Sequence, residues 1–441
     1  MIIFHFANDS VLDTVTLTIL ILKRKEKVQR SKIHVPGITM NHLQEYHEQT
    51  KAQEKLKAKR RIVIIGSGIA AVSAAETLRR LNFDGAISIY SESAQLPYER
   101  RLLSKQLYHK EHQLYLHDAK WYKEKEIALN LKQRVIHIDT KRKELHLANH
   151  KLVPYDECII ATGAKAKRPH DFYEYENILT VRSFEDAVKL SKYAKRNRRC
   201  IVVGGGILGL ELACLLADAH LEVTLIEQLP SLLAKHMDPA AAHLLHQYLK
   251  KEKIHVMLNT QISNLYGISR AEGAELTNKK YINTDFIVYA IGIQADLDFL
   301  KNTDIKHDQL IHVDQAMRTS TAHIYACGDA VRCDGVHASL WKNAEQQGAI
   351  AAMSICNKQH EYENAVQPLL FQHDQFSCFM AGNIRQSDQY VECLDEENSK
   401  FEKYTYQNGL CSGALLINRK EQIPYAWNTY QSKAAYPFAG K

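Results

Sequence analysis

No cysteine occurs before Cys158, so the first third of the chain supplies no thiolate chemistry. The nine cysteines that follow form no CxxC pair and no metal-ligand spacing with the histidines, which excludes a zinc knuckle or an iron–sulfur cluster motif. An odd number of unpaired cysteines fits a reducing compartment, and a cytoplasmic location is expected. No apolar run approaches the roughly 20 residues of a membrane span. The longest early stretch, VLDTVTLTILIL, covers about a dozen residues, and its basic residues follow it rather than precede it, the wrong order for a secretory signal. No stable membrane span is expected. Charge is not one-sided either: 57 basic and 50 acidic residues leave +7. No basic cluster interleaved with aromatics points to nucleic acid.

Glycine, by contrast, is placed with purpose. From Ile62 to Glu92 run IVIIGSGIAAVSAAETL and ISIYSE; from Ile201 to Glu227 run IVVGGGILGLELA and VTLIE. Each reads as an apolar strand, a glycine-rich turn, a helix, a second strand and a carboxylate, the fingerprint of a dinucleotide-binding fold. Gly66 and Gly204 permit the tight turn. Gly68 and Gly206 let a pyrophosphate approach the backbone. Ala71 and Gly209 let the helix lie close to its strand. Ile207 opens the second helix, whose N–H groups face the phosphates. Glu92 and Glu227 end the second strands, where a carboxylate accepts from ribose hydroxyls. Two such units in one chain suggest two dinucleotides.

Each fingerprint is followed by a strand ending in a small-residue turn: CIIATGA, with Ala161, Thr162 and Gly163, and FIVYAIGIQAD, with Ala290 and Gly292. The repeat therefore covers whole domains. After Glu92, LPYERRLLSK places Arg100, Arg101 and Lys105 near the first cofactor or in a solvated basic loop, with a short helix expected from about Leu102. IYACGDAV ends a further strand at Asp329, and a long small-residue helix follows Trp341. Short alternating strands after Pro368 predict a small terminal domain. The expected organisation is α/β, two Rossmann-like dinucleotide-binding domains plus a small α+β C-terminal domain. Residues 1–60 form an N-terminal extension, with translation from Met40, a short packed element or a weak anchor as its readings. Residues 61–170 and 286–365 form the first domain, 171–285 the second and 366–441 the third.

The pieces GSGIAA, LPYERRLLSK, YDECIIATGA, VVGGGILGLELA, YAIGIQAD, YACGDA and LWKNAEQQGAIAA occur in an order that resembles the FAD-dependent pyridine nucleotide-disulfide oxidoreductase superfamily. Within it they are most similar to the ferredoxin and rubredoxin reductase group, which carries no redox disulfide. The resemblance implies FAD on the first fingerprint and NADH on the second, with NADPH disfavoured because Glu227 would repel a 2′-phosphate, although His236 lies where basic residues can occur. It implies that Glu92 holds the FAD adenosine ribose, that the Val135 backbone meets the adenine and that Lys165 stands where an arginine often lies near FAD. Asp329 would bind the ribityl chain, Trp341 would lie near the flavin, and Lys105, paired with Glu211, would sit beside the isoalloxazine as the catalytic pair. Two departures concern the acceptor side: Ser339 replaces a glutamate, and the aromatic flavin-facing motif of the last domain is reduced to FQHDQF. The expected function is an NADH-dependent FAD reductase passing electrons to a small acidic iron–sulfur carrier such as rubredoxin or ferredoxin. A flavin subunit donating to nitrite reductase and an FAD- and NADH-binding sensor are the alternatives.

Overall fold

A computed structural model describes residues 60–437 except 109, 170–174, 338, 365 and 386. The chain divides into residues 1–58 and 59–441, and only the second unit falls within the described residues. The readings offered for the N-terminal extension lie outside them.

The first parallel sheet has the order Ile324–Ala326, Glu157–Ile160, Arg61–Ile65, Ala86–Tyr90, Ile127–Asn130. Its central strand, RIVII, is buried from Ile62 to Ile65 because helices and sheets cover both faces, as its unbroken apolar run requires. The second sheet repeats the plan: His255–Met257, Glu222–Ile226, Arg199–Val203, Phe286–Tyr289, Ile178–Thr180, again all parallel. The strand Phe286–Tyr289 pairs with Arg199–Val203 and Ile178–Thr180, so it belongs to the second sheet. The expected return to the first domain at residue 286 therefore moves to the far side of this strand. Its apolar sequence is what a position between two parallel neighbours demands.

Two chain segments cross between the folds, and they are zipped together. Lys165–Ala166 pairs antiparallel with Ile293–Gln294. The long helix Trp341–Ile355 lies on the first fingerprint helix, Ile69–Arg80. Contact is backbone-close: a Cβ on Gly348 would stand 2.1 Å from the Ala70 carbonyl oxygen. Ser73 Oγ donates to the Glu345 carbonyl at 2.7 Å. The small-residue run that reads as suited to a cofactor edge thus also serves helix packing.

Residues 369–431 form a five-stranded antiparallel sheet, ordered Leu369–His373, Phe376–Gly382, Leu410–Ile417, Lys400–Gln407, Gln389–Asp395, with the helix Ile423–Gln431 on one face. The other face, through Phe371, Phe376, Phe401 and Leu415, joins the core of the second dinucleotide fold. FQHDQF is the hairpin of this sheet. Phe376 stacks on Tyr248 with ring centroids 4.7 Å apart, and His373 bonds Tyr248 and Asp218. Phe376 thus packs against the helix Pro239–Lys251, and neither phenylalanine lines the cavity described below.

Candidate functional site

The two fingerprints use their glycines in three physically different ways. Gly66 and Gly204 have φ of +107° and +115°, and a Cβ on them would stand 2.2 Å from the Ala161 oxygen and 2.5 Å from the Ala290 oxygen. The turn is tight because it touches the neighbouring strand's own turn. A Cβ on Gly209 would meet the Gly204 oxygen at 1.8 Å, so helix and strand are in contact there; Ala71, its counterpart, is fully buried. Beside Gly68 and Gly206 no atom lies within 4 Å of an added Cβ. These two positions open on space at the N-termini of helices of 12 residues each. Unpaired N–H groups and the positive end of each helix face that space, the setting a pyrophosphate requires. The residues present therefore fit a dinucleotide at each fingerprint.

One cavity of about 1410 Å³ joins the two folds. From the first fold it takes Gly68, Arg100, Lys105, Ala161, Thr162, Gly163, Asp329 and Trp341, and from the second Gly204, Gly206, Ile207, Glu211, Glu227, Ala290 and Gly292. Gly66, Ala71, Gly209, Glu92, Val135 and Lys165 do not line it. The first three are structural partners of the turn. The last three gather at the outer end of the first fold.

Lys105 and Glu211 meet across the cavity. Lys105 Nζ donates to Glu211 Oε1 at 2.5 Å, and Ser104 Oγ donates to Oε2 of the same carboxylate. Glu211 is 12% exposed and Lys105 47%, so the carboxylate is enclosed and the ammonium reaches towards solvent. The helix expected from Leu102 is a single 3-10 turn, Arg100–Leu102, with Leu103 N–H bonded to the Arg100 oxygen and Lys105 N–H to the Leu102 oxygen. Those three-residue spacings aim Ser104 and Lys105 at the second fold.

Asp329 is bonded by Arg182, whose Nε also donates to the Ala164 oxygen at 3.0 Å. Arg182 had no signal in sequence beyond its place before the capping box of Ser183 and Asp186. Arg100 lies close by; burial, then the positive charge of Arg182, hold its guanidinium below the usual arginine value. Arg101 lies over the Trp341 ring, 4.9 Å from its centroid, and both residues line the cavity. Thr162 Oγ1 is buried without a partner, a free hydroxyl at the cavity wall.

In the second fold, Glu227 Oε2 accepts from Gly205 N–H at 2.7 Å and Oε1 from Leu229 N–H at 2.8 Å. The carboxylate is thus held at the rim of the fingerprint loop. His236 also lines the cavity, and burial followed by the charge of Lys235 lowers its pKa, so it is a poor phosphate-binding cation.

At the outer end of the first fold, Arg134 Nε stands 3.7 Å from Glu92 Oε2. Lys165 is turned to Asp296, at 2.6 Å. Val135 is buried at the start of its strand.

All nine cysteines are free. Burial pushes the Cys214 and Cys327 thiols up to about 12 and Cys333 up to about 11. Among the described residues no group of histidines, cysteines and carboxylates could hold a metal ion, and no helix is long and apolar enough to cross a membrane.

The family profile described as pyridine nucleotide-disulphide oxidoreductase matches residues 60–348, the stretch that carries both fingerprints. The chain belongs to this family. Relatives within the pyridine nucleotide-disulphide oxidoreductases include a rubredoxin-NAD(+) reductase of Ectopseudomonas oleovorans, 30% identical over 375 residues, covering 81% of this chain and 95% of the relative. A nitrite reductase [NAD(P)H] of Bacillus subtilis (strain 168) is 27% identical over 383 residues, covering 85% of this chain but 48% of the relative; the chain spans about half its length. Among solved structures, the covalent putidaredoxin reductase–putidaredoxin complex superposes with a TM-score of 0.78 at 21% identity, over 85% of this chain and 94% of that one, a likeness of fold.

Proposed function

We propose that this protein is an NADH-dependent FAD reductase that delivers electrons to a small acidic iron–sulfur carrier of the rubredoxin or ferredoxin kind, and that it works in the cytoplasm. One observation carries the reading. Two fingerprints with open glycine positions share a single cavity, and Lys105 of one fold is paired with Glu211 of the other inside it. When bound, FAD accepts two electrons from NADH and releases them singly. The chain's residues do the rest. Gly68 and Gly206 admit the two pyrophosphates, and the helix N-termini bind them. Glu227 receives the NADH ribose and repels a 2′-phosphate. Lys105 places a positive charge beside the flavin, and the enclosed Glu211 carboxylate orients it through their hydrogen bond. An acceptor would approach past Trp341 and Arg101, which line the cavity. The names of the rubredoxin-NAD(+) reductase relatives support the acceptor class, and the nine free thiols suit a reducing compartment.

An anaerobic NADH titration of the FAD-loaded protein tests this. One NADH per FAD is expected to bleach the flavin, and each NADH then reduces two one-electron carriers. Two NADH per FAD would reveal a second, thiol-based centre and overturn the reading. A second reading, electron donation to a sirohaem partner, is favoured by the nitrite reductase relative. Co-purification with such a subunit, and failure to reduce rubredoxin, would select it.

A further inference from the structure

Four charged side chains outside the cavity make a continuous chain at the far end of the first fold. Glu92 closes the second fingerprint strand and is 56% exposed. Arg134, immediately before the strand Val135–Asp139, stands with Nε 3.7 Å from Glu92 Oε2. Arg134 Nη2 also donates to Asp296 Oδ2 at 3.4 Å. The same Asp296 oxygen accepts from Lys165 Nζ at 2.6 Å. Burial opposes the charge on Asp296, yet the hydrogen bond and charge of Lys165 hold its carboxyl below the usual carboxylate range, so it is ionised. The four residues come from four separate segments: the fingerprint strand, the meander after it, and both crossover segments of the Lys165–Ala166 and Ile293–Gln294 ribbon.

The arrangement has a directional logic. A guanidinium beside a ribose-binding carboxylate would normally collapse onto it. Here the contact of Arg134 Nε to Glu92 is longer than a hydrogen bond, while Nη2 on the same edge of the guanidinium donates to Asp296. Glu92 thereby keeps its oxygens for a ribose, and the flat guanidinium remains beside it. Lys165 in turn fixes Asp296 from the ribbon side.

We propose that Arg134 is a binding residue for the adenosine end of FAD, and that Asp296, clamped by Lys165, is the positioning residue that holds it there. The proposal rests on FAD occupying the first fingerprint. Because Arg134 is 53% exposed, its contribution is that of a screened surface contact.

The test uses apo-protein titrated with FAD, followed by flavin fluorescence, and with ADP as a competitor that carries only the adenosine end. Arg134→Gln is expected to weaken FAD and ADP alike by about three- to fivefold, and Arg134→Lys to recover part of this, since a point charge replaces a fork. NADH affinity of the loaded protein is expected to stay unchanged, because Arg134 does not line the cavity. Asp296→Asn separates positioning from charge. It makes the site more positive, so a role through charge alone would tighten FAD, an anion; a positioning role weakens it. FAD and ADP affinities of Arg134→Gln equal to wild type, or unchanged or tighter FAD binding by Asp296→Asn, would overturn the proposal. Should Arg134→Gln not fold, Asp296→Asn decides it alone. Wild-type protein that takes up no FAD would instead refute the cofactor assignment itself.

Discussion

Replacing Gly204 and Gly206, two residues apart in one turn, by alanine should give opposite phenotypes. At Gly204 the backbone has φ +115° and the new Cβ would stand 2.5 Å from the Ala290 carbonyl oxygen. A non-glycine residue in that region costs about 1–3 kcal/mol in backbone strain. Displacing the neighbouring turn adds a cost of about the size of overpacking, roughly 1–3 kcal/mol. At about 2–4 °C per kcal/mol, the melting temperature should fall by at least about 4 °C. Gly206 has an extended N-cap backbone, φ −83° and ψ 179°, and its Cβ would meet nothing within 4 Å. Alanine is a poorer N-cap than glycine by about 0.5–1 kcal/mol, so the fold should lose only about 2 °C. The methyl group, however, fills the space through which a pyrophosphate reaches the backbone. NADH affinity should drop at least about tenfold, equivalent to about 1.4 kcal/mol. Differential scanning calorimetry and an equilibrium NAD(H) titration read the two effects separately. Gly68→Ala is the internal control: it should weaken FAD and spare NADH. Wild-type NADH affinity in Gly206→Ala would refute the placement of the pyrophosphate, and a wild-type melting temperature in Gly204→Ala would refute the strain argument.

Other perturbations probe the pairing and the charges. Lys105→Ala removes the ammonium that Glu211 holds at 2.5 Å and should slow flavin reduction by NADH roughly tenfold in stopped flow; unchanged rates would remove Lys105 from the chemistry. Glu227→Ala frees the Gly205 and Leu229 N–H groups and should lower the preference for NADH over NADPH at least about tenfold in kcat/KM, a ratio that would stay put if the carboxylate only buttressed the loop. Lys403 is buried between Asp238, at 2.7 Å, and Glu392, at 3.0 Å, so Lys403→Met should cost about 3 kcal/mol near neutral pH. Burial alone would depress that lysine, but its two carboxylate bonds raise it above the usual 10.5. Its contribution is therefore complete below about pH 10 and fades as pH rises through the raised value, so wild-type and variant melting temperatures should converge in strong alkali.

Much of the site is local and hence legible in the chain. Strand, turn, helix and second strand of each fingerprint lie within about thirty residues; a positive φ calls for glycine at Gly66 and Gly204, whereas at Gly68 and Gly206 it is the approach of a ligand to the backbone that favours a residue without a side chain. Both parallel sheets follow from apolar runs buried on two faces. The strand Phe286–Tyr289 is the instructive miss: its pattern identifies a buried strand, but a pattern cannot say which of two similar sheets takes it. FQHDQF is another: it stands where the resemblance puts a flavin-facing aromatic motif, and no local pattern tells that Phe376 stacks on Tyr248.

What the chain alone determined is therefore two dinucleotide folds, their order and the ends of the strands where ligands bind. Only the tertiary structure decided which side chains meet there. Lys105 reaches Glu211 across 106 residues, Arg182 reaches Asp329 across 147, and Arg134 reaches Asp296 across 162. Parallel strands are joined by long crossovers, so the carboxyl ends that form the site come from segments far apart in sequence. Hydrogen bonds and ion pairs act over a few ångströms, and no local pattern encodes which distant segments will be brought that close.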